Sequence, residues 1–148
     1  MKRALIDANV ILRYFTQDPP KLAEAAHKTF AAAQEGHVLL LLTPITVAEV
    51  VWVLESFYGY PKPRIAATVS QFLRSDGIEV IDLELLIRAL HLYDEKNIDF
   101  ADALLAAYAL SRGINLVYSF DKHFSRIPGV EKLEPGSLPP RGASKPKP

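Results

Sequence analysis

Four acidic residues stand where a parallel α/β sheet would gather ligands. They are Asp7, Glu49, Asp102 and Asp121. Asp7 ends the first predicted strand and Asp121 closely follows the fourth, and open parallel sheets bind ligands beyond the carboxyl ends of their strands. Glu49 and Asp102 fall in the first turns of two predicted helices, whose N-terminal ends face the same edge if both helices pack in the same direction. These positions predict that the four acids converge.

Such a cluster needs a cation to offset the repulsion between its carboxylates. Two carboxylates 4 Å apart repel by about 4 kcal/mol at an effective dielectric near 20. A hard divalent ion removes this conflict, and all-oxygen sites suit Mg²⁺ or Mn²⁺. Such ions polarise phosphates and activate water, as the hydrolysis of a phosphodiester requires. The cluster therefore predicts a metal-dependent hydrolytic site.

Each of these acids also has an ordinary structural explanation. Asp7 suits the N-cap of the helix that follows it, and Asp121 suits a turn. Glu49 lies among apolar residues, where a charge is rare unless it is paired or metal-bound. An exposed stripe through Thr46, Glu49 and Ser56 would accommodate it equally. The common placement of the acids carries more weight than any one of them.

A further acid, Asp99, precedes Asp102 by one helical turn. Both suit the positive end of a helix dipole. Because Asp99 falls at or before the predicted helix start, an N-cap role is its simpler explanation. We therefore expect Asp102 to bind the metal and Asp99 to support the site.

Strands alternate with helices along the chain, which predicts the α/β class with parallel pairing. The predicted strands are 3–6, 38–42, 78–81, 115–118 and 130–133, and the predicted helices are 9–15, 21–34, 44–58, 63–74, 83–96 and 99–112. Strands 3–6 and 38–42 are apolar and typical of buried strands. We expect residues 1–134 to form one folded domain, and 135–148, with five prolines, to form a disordered tail.

The composition limits the classes of function. Seventeen basic and seventeen acidic residues give no net charge, so the chain lacks the basic surplus of proteins that coat nucleic acid, and RNA binding requires a local basic rim. The chain has no cysteine, which excludes disulfides, thiolate zinc sites and cysteine nucleophiles. The apolar stretch near the N-terminus is too short for a signal peptide or a membrane span, so we expect a cytoplasmic protein.

Four segments together resemble the motifs of PIN-domain ribonucleases. The segments are Asp7–Val10, Thr46–Leu54, Asp99–Ala107 and Ser119–Phe124. The resemblance runs from about Leu5 to Leu133 and is closest to the VapC-type toxins of toxin–antitoxin pairs. It implies a three-layer α/β/α sandwich with a central parallel sheet and Mg²⁺- or Mn²⁺-dependent endoribonuclease activity. It also implies a homodimer and a cognate antitoxin that reaches into the site.

The resemblance also assigns residues by their place in these motifs. It implies that the four acids named above are the catalytic and metal-binding residues. Asn9 and Ser119 match polar residues that support the site. His123 stands where many family members have another Asp, which leaves a ligand role for this position open.

Basic residues near the motifs are candidates for holding RNA phosphates. They are Arg13, Lys122, His123 and Arg126. Each is equally well explained as solvated surface charge. The helix 44–58 is apolar on more faces than one core contact requires, around Val50, Val51, Val53 and Leu54. Together with Phe57, Tyr58 and Tyr60, this predicts a subunit interface.

Two other functions compete with a ribonuclease. A haloacid-dehalogenase-type phosphatase also begins with an Asp after its first strand, but its chemistry requires Asp-x-Asp, and Asn9 occupies the second position. A catalytically silent PIN-fold binding module is the second alternative, and all four acids argue against it. The sequence leaves the identity of the RNA and the number of metal ions open.

Overall fold

The structure of the chain, a computed structural model, describes residues 1–141. The described residues form two compact units, of which the first is Met1–Glu84 and the second begins at Leu85. The predicted α/β class with parallel strands is confirmed. Residues 135–141 of the predicted tail contain turns and no helix or strand, and 142–148 lie outside the described residues. Within the described part of the chain, no helix has the length and apolar character needed to cross a membrane.

The first unit is built around a three-stranded parallel sheet. Its elements are β1 (Arg3–Leu5), α1 (Ala8–Thr16), α2 (Pro20–Gln34), β2 (Leu39–Leu42), α3 (Pro44–Ser56), α4 (Lys62–Leu73) and β3 (Ile78–Val80). The strand order is β1-β2-β3, and Leu40 of the central strand lies opposite Ala4 and Ile78. All three residues of β1 are exposed. The predicted burial of this strand is therefore wrong, because β1 lies at the sheet edge and its apolar contact with the core begins at Ile6.

Local sequence signals mark where two elements of the first unit begin. Thr43 caps α3 by accepting a hydrogen bond from the Thr46 amide, and Pro44 takes the first helical position. The turn before β3 requires Gly77, which has φ +82° and lies against α2, where an added Cβ would overlap the carbonyl group of Ala33. These two points fix how the chain enters α3 and β3.

The second unit contains a two-stranded parallel sheet. Its elements are α5 (Leu83–Glu95), whose first two residues belong to the first unit, α6 (Phe100–Ser111), β4 (Leu116–Tyr118), a 3₁₀ helix (Lys122–Arg126) and β5 (Glu131–Leu133). Strand β4 pairs with β5, with Val117 opposite Lys132. The sequence predicted every element of this unit except the 3₁₀ helix, which lies between the two strands.

Candidate metal centre

Helix α6 carries Asp102 in its first turn. Asp99 occupies the N-cap position, with φ −62° and ψ 148°, so its predicted position is confirmed. The predicted capping bond is wrong, however, because the Asp99 carboxylate makes no capping hydrogen bond to the described residues of the first turn. Asp99 is exposed, whereas Asp102 is half-buried. The two acids therefore differ in environment although they lie one turn apart.

Asp121 is held in a turn that follows β4. Its Oδ1 accepts a hydrogen bond from the backbone amide of His123 at 2.8 Å and caps the 3₁₀ helix. The Asp121 amide donates to Ser119 Oγ at 2.9 Å, and the Ser119 amide donates to the Leu133 carbonyl of β5 at 3.1 Å. Ser119 therefore holds the backbone of Asp121 in place, and its part in a functional site stays a prediction.

Three side chains of the second unit come together as an acidic cluster: Asp102, Asp121 and His123. One potential ligand atom from each lies within 4.8 Å of the other two, and all three residues are half-buried. His123 Nδ1 is buried and lies 3.1 Å from Asp121 Oδ1, but makes no hydrogen bond with any described residue. Two carboxylates and an imidazole are donors that divalent transition ions accept. The donor set and the unsatisfied nitrogen therefore fit a bound cation.

The two carboxyl groups of the cluster have opposite electrostatic environments. Burial raises the pKa of Asp102 from 3.8 to about 6, aided by its hydrogen bond to Asp121 and by the negative charges of Asp121 and Asp99. The pKa of Asp121 is lowered, mainly because its carboxylate accepts the His123 amide. Without a cation, a proton on Asp102 therefore relieves the repulsion between the two acids. Asp102, Asp121 and His123 are the residues of this unit that would hold a cation, and its charge would offset the same repulsion.

The other two predicted ligands lie in the first unit. Asp7 is exposed and is the N-cap of α1, where its Oδ1 accepts a hydrogen bond from the Asn9 amide at 2.8 Å. Glu49 is exposed on α3, as in the interpretation of an exposed stripe along that helix. Strands β1 and β4 belong to different sheets. The convergence of all four acids stays a prediction.

Comparison with known proteins places these residues in a family. The PIN domain family model matches residues 4–130, a range that contains all four acids. The chain belongs to the PIN-domain family. It is also 26% identical to a VapC ribonuclease of Aquifex aeolicus (strain VF5) over 132 residues. This match covers 88% of the chain and 96% of the relative. Within this PIN domain, the acidic cluster brings together residues from Asp99–Ala107 and Ser119–Phe124, two of the segments that resemble family motifs.

The electrostatics of the cluster predict how the stability of the metal-free PIN domain depends on pH. The folded state holds the Asp102 proton more tightly than the unfolded state, so the free energy of unfolding should fall as the pH rises from about 4 to about 6. The difference between 3.8 and about 6 corresponds to at most about 3 kcal/mol. The lowered pKa of Asp121 has the opposite effect at lower pH, where the free energy of unfolding falls as the pH falls below about 3.8.

Urea unfolding in EDTA between pH 4.5 and 7.5 measures this dependence. Asp102→Asn should lose the fall in stability and be more stable than the parent at pH 7.5. Glu131→Gln, which neutralises an exposed acid of the same unit, is the matched control and should retain the parental slope. A parental slope in Asp102→Asn would show that this carboxyl group is not the one that titrates.

The predicted RNA-binding residues of the PIN domain have unequal surroundings. Arg13 Nη1 donates to the Asp18 carbonyl at 3.1 Å and to the Tyr58 hydroxyl at 3.4 Å. Arg126 Nη1 donates to two carbonyls of the chain that follows α5. Lys122 is exposed at the start of the 3₁₀ helix, and His123 is part of the acidic cluster. Both arginines therefore have structural partners, whereas Lys122 faces solvent.

The sequence analysis missed two residues near Asp121. Lys132 of β5 is only 13% exposed at its side chain, binds Glu134 at 2.6 Å, and contributes to the lowered pKa of Asp121. Its place within the predicted strand 130–133 was the available signal. Phe120, directly before Asp121, is 81% exposed. Lys132 lies outside the four motif segments, whereas Phe120 lies within Ser119–Phe124 but was given no role there.

Proposed function

We propose that this PIN-domain protein is a Mg²⁺- or Mn²⁺-dependent endoribonuclease and the toxin of a toxin–antitoxin pair, acting in the cytoplasm. The observation that carries the proposal is the acidic cluster, in which two carboxyl groups and an imidazole come within 4.8 Å of one another and the imidazole nitrogen Nδ1 is left without a hydrogen bond. Its similarity to a VapC ribonuclease supports RNA as the substrate. The protein would hydrolyse phosphodiester bonds within RNA.

Asp102 and Asp121 are the residues of the cluster that would hold the ion, and motif position adds Asp7 and Glu49. When bound, the ion supplies a Lewis acid for the scissile phosphate. Asp121 is kept ionised by the His123 amide and oriented through Ser119. Asp102 would hold the ion in its ionised form. One of these two carboxylates then accepts the proton of the attacking water.

RNA would be held by a local basic rim, because the chain as a whole carries no net charge. Lys122 is exposed next to Asp121 and is suited to a phosphate contact. Arg13, His123 and Arg126 complete the proposed set. Exposed Phe120 offers a flat apolar surface on which an unpaired base can stack beside the cluster.

The proposed homodimer uses only part of the surface that the sequence suggested. Val50, Val51 and Leu54 are buried in the chain itself, so their predicted part in a subunit interface is wrong. Burial in the core accounts for these apolar residues of the helix. The large apolar side chains that α3 and its C-cap leave exposed are Ile45, Trp52 and Phe57, at 79%, 66% and 78%. We propose that these side chains contact a second copy.

A groove in the first unit suits the proposed antitoxin. It has a volume of about 350 Å³ and lies along α1 and α2. Its lining is Asn9, Val10, Arg13, Leu22, Ala25, Ala26 and Thr29. A mostly apolar groove with one guanidinium fits an amphipathic segment that also carries an acidic group.

Metal removal tests the proposed activity. Cleavage of a fluorogenic single-stranded RNA should be lost in EDTA and restored by Mn²⁺ or Mg²⁺, because the carboxylates alone cannot stabilise the charge that develops on the phosphate. Asp121→Asn, purified in the same way, controls for contaminating ribonucleases. Undiminished cleavage after chelation would contradict the metal mechanism. Metal-dependent release of phosphate from a phosphomonoester without RNA cleavage would favour a phosphatase, and no cleavage under any condition would favour a binding module.

A further inference from the structure

Arg126 links two segments that are far apart in the sequence. Its Nη1 atom donates to the carbonyl of Asn97 at 2.9 Å and to the carbonyl of Lys96 at 3.3 Å. The two contacts span 29 and 30 residues of sequence. Arg126 is the last residue of the 3₁₀ helix, and Lys96 and Asn97 directly follow α5. The guanidinium therefore fastens the 3₁₀ helix to the turn between α5 and α6.

The acidic cluster is divided between these same two segments. Asp121 caps the 3₁₀ helix that Arg126 ends, and His123 lies within that helix. On the other side, Asn97 precedes the N-cap of α6 by two residues, and Asp102 lies in the first turn of that helix. A shift of the 3₁₀ helix relative to this turn would therefore change the distance between Asp102 and the other two members of the cluster.

The turn that Arg126 contacts is suited to a positively charged side chain. The last carbonyls of an α-helix lack partners within the helix, and positive side chains bind them and complement the helix dipole. Asn97 has a left-handed backbone with φ 50°, so the chain reverses there instead of continuing α5. A charged donor makes stronger hydrogen bonds to carbonyls than a neutral one. The bond thus fixes the turn although Arg126 itself is exposed.

We infer that Arg126 is a positioning residue that sets the separation of Asp102 from Asp121 and His123 by joining the 3₁₀ helix to the α5–α6 turn. This role rests on the proposed function, because it matters only if the cluster binds an ion. It differs from the phosphate contact proposed above for the same side chain. A positioning residue affects ion binding without RNA, whereas a phosphate contact affects only RNA.

Mn²⁺ binding in the absence of RNA tests this role. Free Mn²⁺ can be titrated by electron paramagnetic resonance against the wild-type protein, Arg126→Ala, Arg126→Lys and the control Arg112→Ala. Arg112 is another exposed arginine of the second unit, and its guanidinium lies over the Tyr108 ring. Arg126→Ala should raise the Kd for Mn²⁺ by roughly tenfold, in the range typical of residues that orient metal ligands. Arg126→Lys should recover part of the affinity, and Arg112→Ala should match the wild type.

The outcomes separate the possible roles. The titrations are run at 10 °C after circular dichroism has confirmed that each variant is folded. If Arg126→Ala is unfolded, Arg126→Lys tests the positioning role instead, with a smaller expected loss of Mn²⁺ affinity. Unchanged Mn²⁺ affinity in a folded Arg126 variant would overturn the positioning role. A lower melting temperature would then indicate a purely structural role, and a higher KM for RNA would indicate a phosphate contact. If the folded wild-type protein binds no Mn²⁺, the proposed function fails, and the positioning role fails with it.

Discussion

Asp102→Asn should lower the rate of RNA cleavage by at least about a thousandfold, whereas Asp99→Asn should cost about 10–100-fold at most. Asp102 contributes a carboxylate to the acidic cluster, and its hydrogen bond to Asp121 shows how close the two groups lie. Asp99 acts on the cluster only through its charge, which raises the pKa of Asp102. Asn is close in shape to Asp, so each substitution removes a charge and little else.

The comparison is made by single-turnover cleavage of one RNA at saturating Mn²⁺. Asp99→Asn is the matched control, because it removes an acid from the same helix end without touching the cluster. Melting temperatures in EDTA should show both variants folded, with Asp102→Asn at or above the parent near neutral pH. An active Asp102→Asn together with an inactive Asp99→Asn would reverse the assignment and place the site one helical turn earlier.

The elements of the chain were predictable because local signals mark their ends. Thr43 with Pro44 begins α3, Gly77 permits the turn before β3, and Asp99 precedes α6, all as the sequence indicates. Such signals act over a few residues and depend little on the rest of the fold. The burial of a strand, in contrast, depends on the rest of the fold. Strand β1 was predicted buried from its apolar residues, yet it lies at a sheet edge, and edge position depends on which strands pair.

Helix α3 shows the same limit for a surface. Its sequence is apolar on several faces, which is compatible with a subunit interface or with a deep core. The structure buries Val50, Val51 and Leu54 and exposes Trp52. The hydrophobic pattern gives the amount of apolar surface, whereas the elements packed around the helix determine which face remains exposed.

Within the candidate site, residue type was predictable and contacts were not. Asp102 and Asp121 were chosen because acids stand at the start of a helix and after a strand. The part played by His123 was left open, although its Nδ1 lies 3.1 Å from Asp121. Arg126 was assigned to RNA from its closeness in sequence to Asp121, but its partners lie 29 and 30 residues away. Sequence proximity cannot reveal a contact that depends on chain reversal.

Asp7→Ser should also reduce RNA cleavage by at least about a thousandfold while leaving stability nearly unchanged. The Asp7 carboxylate has one established task, which is to accept the Asn9 amide at the N-terminus of α1. Ser is as good an N-cap as Asp, so the free energy of unfolding should change by less than about 0.5 kcal/mol. The negative charge that the first family motif supplies is lost. Asp7→Ala removes the cap as well and should cost about 1 kcal/mol of stability.

Urea unfolding and cleavage assays on both Asp7 variants separate these two tasks. If Asp7 serves the metal-dependent reaction, Ser and Ala should be equally inactive although only Ala is destabilised. If Asp7 is only a cap, Ser should cleave RNA at the parental rate, and Ala should lose activity only near its own unfolding transition. The second result would leave the acidic cluster of the second unit as the metal centre without this residue. Because the two results differ by orders of magnitude in rate, this pair of variants decides whether the first motif takes part in catalysis.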